Sequence, residues 1–402
     1  MAQRPLDGIK VLELGQLLAG PFTGTQLGYF GAEVIKVEAP QKGDPIRGWR
    51  VVQNGTSLWW YSIGRNKKSV TLDLSTEKGR ELVYELIKQS DVLIENFRPG
   101  KMESWGLGPE DIKADCPDLI YTRISGYGQT GPYAKQPGFA SVTEGFSGFR
   151  YLNGFPGEAP VRSNLSLGDT LAGQQAFIGI LLALLQKNKG GGQSNGGAGQ
   201  VVDVALYEAM FNTLEAVVPE YDGAGVIRQP SGTTVTGIVP TNTYRCSDGK
   251  FVIIGGNGDS IFKRLMKAAG ASHMAEDERF RDNAGRVENE AEIDAVLSEW
   301  CSASSLEEIL EMLKQANVPS GPIYNIEDMM NDPHYQARGM FETVDTPDGE
   351  LKIPAITPKL SDTPGRTDYA GPALGQHNDE ILGKRLGLSE DEMSQLRGCG
   401  II

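Results

Sequence analysis

Ile9–Glu38 reads IKVLELGQLLAGPFTGTQLGYFGAEVIKVE, and this stretch decides the fold. Ile9 to Leu14 is a short strand that stops at Gly15. A helix follows from Pro21, because the fixed φ of proline suits a first helical turn. Glu33 to Glu38 then alternates apolar and charged residues as a second strand. Two strands joined through a helix make the βαβ unit, whose strands run parallel. The same rhythm continues downstream. Ser75-Thr76 caps a helix with Leu82, Val83, Leu86 and Ile87 on one face, and Asp91 to Asn96 is a third strand. Leu119 to Ile124 is a fourth strand. A long apolar helix follows Asp169 through Ile178, Leu181, Leu182 and Leu185, and Val201 to Leu206 is a fifth strand. Such alternation predicts an α/β protein with a doubly wound, mainly parallel sheet in a Rossmann-like large domain.

The pattern loosens over 218–241, where Pro219, Gly223, Gly225, Pro230, Gly232 and Gly237 read as a linker between the large domain of 1–217 and a smaller α+β domain of 242–330. The smaller domain opens with a hairpin over 242–255 that turns at Ser247-Asp248-Gly249-Lys250. Helices follow over 259–269, 290–300 and 305–316. Residues 331–402, rich in proline and glycine, read as a linker and tail returning to the large domain. The glycine-rich run from Lys189 to Gly199 reads as a flexible surface loop without chemistry.

The chain has 402 residues, with 38 Lys and Arg against 52 Asp and Glu, a formal charge of -14. That balance repels nucleic-acid phosphates. An anionic small ligand must therefore meet a local cationic cluster or backbone N–H groups. The cysteines at 116, 246, 301 and 399 and the histidines at 273, 334 and 377 show no metal-ligand spacing. Neither a zinc site nor a disulfide framework is expected. No signal-peptide core and no long apolar run stand out, so a cytoplasmic protein with no membrane partner is expected.

Four segments could carry chemistry. Asp169 lies in Ser166–Gly173, SLGDTLAG, between a turn and an apolar helix. The plain alternative is a helix N-cap. The same dipole and N–H groups that favour a cap also hold a carboxylate ionised, and an ionised carboxylate in a pocket can attack an acyl carbon. Gly255-Gly256-Asn257-Gly258-Asp259 reads either as a strand-to-helix turn capped by Asp259 or as a mobile lid whose N–H groups meet an oxyanion. Gly15 to Pro21 follows the first strand, where a doubly wound fold binds ligands. It lacks G-x-G-x-x-G, which disfavours a nicotinamide cofactor. Asn96 to Lys101, with Lys67, Lys68, Arg47 and Arg50, offers positive charge for phosphates.

Taken in order, LDGIKVLEL (6–14), AGPF (19–22), FGAEVIKVE (30–38), GDPIRGW (43–49), NKKSVTLDL (66–74), ENFRPG (95–100), SGYGQTGP (125–132), SLGDTLAG (166–173), GGNGD (255–259), VPSGPI (318–323) and GQHNDEIL (375–382) resemble the class III coenzyme A transferase family over nearly the whole chain. The resemblance implies an interlocked, ring-like homodimer. It also implies a coenzyme A thioester as substrate rather than a permanently bound cofactor, and small carboxylic acids as partners. Carried onto this sequence, the catalytic aspartate is Asp169 and the glycine loop is Gly255, Gly256, Asn257 and Gly258. The coenzyme contacts fall on Leu18, Ala19, Leu72, Asp73, Leu74, Ser75, Asn96, Phe97 and Arg98. Trp49, Phe139, Arg150 and Arg162 are candidates for holding the acid, the arginines because a second carboxylate needs a cation. Departures at Leu18, Ala39, Ser104 and Phe139 point away from the formyl-CoA and oxalate pair. The stretch 138–169 is more similar to the succinyl-CoA and dicarboxylate branch. An acyl-CoA racemase of the same fold needs a histidine near the thioester, and none occurs before 273. A non-enzymatic coenzyme A-binding protein would tolerate loss of Asp169.

Overall fold

The computed structural model describes residues 3–188 and 198–402, so nearly all of the glycine-rich insert expected as a loop lies outside the described residues. The chain packs as two units: one of Met1–Phe149, Ser163–Glu215 and Gln336–Ile402, the other of Arg150–Arg162 and Ala216–Tyr335.

In the first unit the order is β1 (Lys10–Glu13), α1 (Ala19–Tyr29), β2 (Glu33–Glu38), β3 (Lys67–Thr71), α2 (Glu77–Ile87), β4 (Val92–Glu95), β5 (Ile120–Ser125), α3 (Ala140–Phe146), α4 (Leu167–Asn188), β6 (Val201–Ala205) and α5 (Leu206–Phe211). The six strands form one sheet in the order β3-β2-β1-β4-β5-β6, and every pairing is parallel. Side chains alternate between its faces. Val11, Val34, Ile94, Ile120 and Ile124 join Leu27 of α1 and Ala172, Ala176 and Ile180 of α4 in one core. Leu12, Ile35, Val37, Leu93 and Tyr121 join Leu82, Val83, Leu86 and Ile87 of α2 in the other. Each fully buried leucine or valine in these layers contributes roughly 1.5–3 kcal/mol. Covering both faces is what an all-parallel sheet requires.

The sheet holds one strand beyond the five expected. β3 escapes an apolar search because it opens with Lys67 and Lys68, yet Lys67 is fully buried. As the edge strand, β3 is sealed by the tail, as GQHNDEIL bends onto it. His377 N–H donates to Ser69 O at 3.0 Å, Ser69 N–H to His377 Nδ1 at 3.1 Å, and Thr71 N–H to Asn378 Oδ1 at 2.9 Å. Further on, Asp73 N–H reaches Ile401 O at 2.8 Å. An edge covered in this way cannot recruit a foreign strand. Helix α4 is long and apolar enough to cross a membrane by length and composition. In this unit one face of it, Ala172, Ala176, Ile180, Ala183 and Leu184, is buried against α1, β5 and β6.

The second unit is α+β. Strands β7 (Thr241–Arg245), β8 (Phe251–Gly255) and β9 (Ser320–Pro322) form an antiparallel sheet in the order β9-β8-β7. The β7–β8 hairpin turns with Gly249 at φ +80°. Helices α6 (Asp259–Ala268), α7 (Glu290–Ser302) and α8 (Leu306–Gln315) cover it through Phe262, Leu265, Ile293, Leu297, Ile309 and Leu313.

Candidate active site

In the first unit the strand order reverses between β1 and β4, the place where open α/β sheets bind ligands. A cleft of about 220 Å³ opens there at the carboxyl ends of the strands. It is lined by Gln16, Leu17 and Ala19 after β1, by Asn96, Phe97 and Arg98 after β4, by Ser125 and Gly126 at the end of β5, and by Phe139 and Asp169.

The two loops of the cleft are stitched together by one side chain. Asn96 Oδ1 accepts from Gln16 N–H at 2.7 Å and Asn96 Nδ2 donates to Gln16 O at 2.8 Å. Gly15 and Gly20 make this closeness feasible: a Cβ on Gly15 would stand 3.1 Å from Gly20 Cα and 3.3 Å from Asn96 Oδ1. Leu17 takes φ +64°, a conformation disfavoured for leucine by about 1–2 kcal/mol. It is held there by Asp44, whose carboxylate accepts from Leu17 N–H at 3.0 Å.

Beneath these loops lies a fully buried ionic network. Lys36 Nζ meets Asp44 at 2.8 Å and Glu13 at 3.0 Å, and donates to Gly15 O at 2.7 Å. Lys67 Nζ meets the other oxygen of Glu13 at 2.8 Å and donates to Pro21 O at 2.6 Å. Burial pulls the Lys36 ammonium down, but Asp44, Glu13 and Glu38 outweigh it and raise its pKa. For Lys67 burial prevails over Glu13, leaving a pKa of about 8. Arg47 grips Glu38 at 2.7 Å, and Lys68 is shared between Glu33 and Glu380 at 2.7 and 2.6 Å. The positive charge expected from Lys67, Lys68 and Arg47 for phosphates is therefore spent on the protein's own carboxylates, buried for Lys67 and part-exposed for Lys68, while Arg50 is exposed and lies over the Trp59 ring. Arg98, exposed at the cleft, keeps its guanidinium available.

On the β4 side, Glu95 Oε2 accepts from Phe97 N–H at 2.7 Å while Arg123 donates to Glu95 and Glu103 at 2.7 and 2.6 Å. Burial pushes Glu95 up to about 7 against the pull of Arg123. Phe97 packs edge-on against Trp105, ring centres 5.3 Å apart.

Asp169 is the third residue of α4 rather than its cap, since the helix begins at Leu167. It is half-buried and faces the cleft. The glycines of SLGDTLAG set its place. A Cβ on Gly173 would lie 2.8 Å from Ala19 O and 3.0 Å from Phe22, and one on Gly168 would lie 3.2 Å from Ala140 Cβ. Thr23 Oγ1 adds a bond to Gly173 O at 3.1 Å. Only a helix without side chains at 168 and 173 can press its first turns against α1 and α3.

Of the residues expected at the site, Ala19, Asn96, Phe97, Arg98, Phe139 and Asp169 come together in this cleft. Leu18 does not line it, because Leu17 is the residue turned there; Leu18 packs against Ile46, Trp60 and Tyr61. Leu72 is in the core. Asp73, Leu74 and Ser75 form the turn before α2, with Ser75 N–H on Asp73 Oδ1 at 2.9 Å. Trp49, also outside the lining, is 42% exposed. Arg150 and Arg162 belong to the second unit, as does the glycine loop. There Gly255 and Gly256 spend their N–H groups on Pro319 O and Pro240 O at 2.9 and 2.8 Å. Gly258, not Asp259, is the N-cap of α6. Arg286, fully buried, donates to Asn257 O at 2.7 Å, Asp259 Oδ1 at 2.9 Å and Val239 O at 3.0 Å. Gln16 and Leu17 lie in the Gly15 to Pro21 segment expected to meet a ligand and Ser125 in SGYGQTGP, but none of the three is named there as an individual contact.

Residues 6–378 match the model of CoA-transferase family III. The succinyl-CoA–D-citramalate CoA-transferase of Chloroflexus aurantiacus is 45% identical over 99% of this chain and 98% of its own length. The succinyl-CoA–L-malate CoA-transferase alpha subunit of the same organism is 42% identical over 100% of this chain and 93% of its own. A crystal structure of a CaiB/BaiF family protein from Brucella suis superposes with a TM-score of 0.83 at 35% identity, covering 95% of this chain and 99% of that one. The chain belongs to CoA-transferase family III and is an enzyme that transfers coenzyme A.

Proposed function

We propose that the protein moves coenzyme A from succinyl-CoA to a second dicarboxylic acid through covalent intermediates on Asp169. The observation that carries this is a half-buried carboxylate in the first turn of α4, facing a cleft at the switch point of the sheet. In support, the similar enzymes act on citramalate and malate, both 2-hydroxy dicarboxylic acids.

An Asp169 oxygen attacks the thioester carbon, the C–S bond breaks, and coenzyme A leaves as thiolate, forming a mixed anhydride. The thiolate attacks the Asp169 carbonyl carbon and succinate departs, leaving an aspartyl thioester. The acceptor carboxylate attacks that thioester and expels the thiolate. The thiolate then attacks the acceptor's acyl carbon and restores the Asp169 carboxylate. Protons balance without a base, and each step exchanges activated acyl species of similar energy, so the chemistry calls for no metal or nucleotide. Holding the thiolate beside its target supplies much of the rate. In the second unit, the Asn257 and Gly258 N–H groups have no partner among the described residues, which suits them to an anionic oxygen.

We place the enzyme in the cytoplasm as a homodimer. Its free cysteines suit a reducing compartment, and the exposed Ile178, Leu182 and Leu185 of α4 offer an apolar face to a second copy. The test is an acid panel with succinyl-CoA, read by product mass, for the wild type and Asp169→Ala. The variant should give no transfer, and the wild type should carry a coenzyme A adduct on Asp169 during turnover. Wild-type turnover by Asp169→Ala sinks the assignment.

A further inference from the structure

Ser125 closes β5, where its backbone is fixed by pairing with Ala205 of β6. It is 6% exposed and lines the cleft that Asp169 faces. Its Oγ has no hydrogen-bond partner among the described residues. Leaving a buried hydroxyl unmet costs about 1–3 kcal/mol, so its retention needs a reason.

Several other donors around the cleft are already engaged. Gln16 N–H and the Asn96 amide bind one another's segments, Leu17 N–H is on Asp44, and Phe97 N–H is on Glu95. Arg98 is exposed at the cleft's edge, suited to an outer anionic group. Among the lining residues Ser125 is the one buried polar side chain. The cleft, at about 220 Å³, falls below the roughly 300–1,000 Å³ of sites that enclose drug-sized ligands. A cleft of that size suits the small reacting end of a thioester better than the nucleotide of the coenzyme.

We propose that Ser125 is a substrate-contacting residue, its hydroxyl donating to the acyl oxygen of the thioester that Asp169 attacks. This rests on the reading of Asp169 given above. The bond strengthens as that oxygen gains charge, so it favours the transition state over the bound thioester.

The experiment combines Ser125→Ala with Asp169→Asn, which holds substrate without turnover. Calorimetric titration with succinyl-CoA should show about tenfold weaker binding than Asp169→Asn alone, with free coenzyme A unchanged. In the otherwise wild-type enzyme, Ser125→Ala should lower kcat by more than it raises KM, without lowering the melting temperature. Equal loss for both ligands, no loss for either, or a drop in stability alongside activity overturns the proposal. Turnover by Asp169→Asn itself would instead refute the Asp169 assignment, and the kcat and KM of Ser125→Ala would still decide the role of Ser125.

Discussion

Lys67→Met tests the buried network beneath the cleft. Glu13, Lys36, Lys67 and Asp44 are two anions and two cations with essentially no exposure, a balanced set. At 2.8 Å the Glu13–Lys67 attraction is about 6 kcal/mol at an effective dielectric of about 20. Burial of the ammonium outweighs that attraction, which is why the Lys67 pKa falls to about 8. Removing Lys67 alone leaves a surplus buried negative charge, and breaking a buried pair in this way costs about 3–5 kcal/mol. Lys67→Met with Glu13→Gln restores balance and should return to within about 1 kcal/mol of wild type. Urea titration, followed by tryptophan fluorescence, measures both. The folded pKa of Lys67 lies below its unfolded value of about 10.4. Between about pH 8 and that value the unfolded chain therefore binds a proton the folded one does not, and stability from this group rises with pH. That rise should vanish in Lys67→Met. A single variant losing under about 1 kcal/mol, or a double variant no better than the single, refutes the reasoning.

Asn96→Ala removes both bonds to Gln16 and should raise KM for succinyl-CoA severalfold more than it lowers kcat, as steady-state kinetics will show. Gly173→Val overpacks the α1–α4 contact and should cost about 1–3 kcal/mol in denaturant titration, with kcat falling as Asp169 is displaced. The His377 pKa is lowered by burial, with Glu380 partly opposing, so its contribution is full above its unfolded value of about 6.5 and is lost as pH falls below it. His377→Gln, which keeps an acceptor for Ser69 N–H, should flatten the stability–pH curve in that range. Arg286→Ala strands the carbonyls of Val239 and Asn257 and should destabilise the second unit by about 3 kcal/mol or more, seen as faster hydrogen exchange across α6.

The sheet and its helices were legible wherever apolar periodicity was clean: Ile9–Leu14, Glu33–Glu38 and the face of α2 all appear where expected. Lys67–Thr71 was not legible, because a strand whose inward residue is a lysine looks polar until its partner on β1 is known. The same blindness turned Lys67, Lys68 and Arg47 into supposed phosphate ligands, since pairing with Glu13, Glu33 and Glu38 is long-range. Asp169, Asn96 and Arg98 were named together from motif order, and the cleft that gathers them lies at the switch point of the doubly wound sheet. Leu17 rather than Leu18 lines the cleft because the left-handed backbone at 17 turns that side chain to it, which local sequence does not show. Ser125 did not stand out because a serine at a strand end has no local signature; only its burial in the cleft lining draws notice.

The tail that seals β3 also sets an order of events during synthesis. The second unit draws mainly on a continuous stretch, 216–335, and can gain its structure while the ribosome is still translating. The first unit cannot do so, because Ser69, Thr71 and Asp73 receive their backbone partners from His377, Asn378 and Ile401. Until about three hundred further residues have emerged, a nascent parallel sheet waits with one flank bare, the state most open to chaperone capture or aggregation.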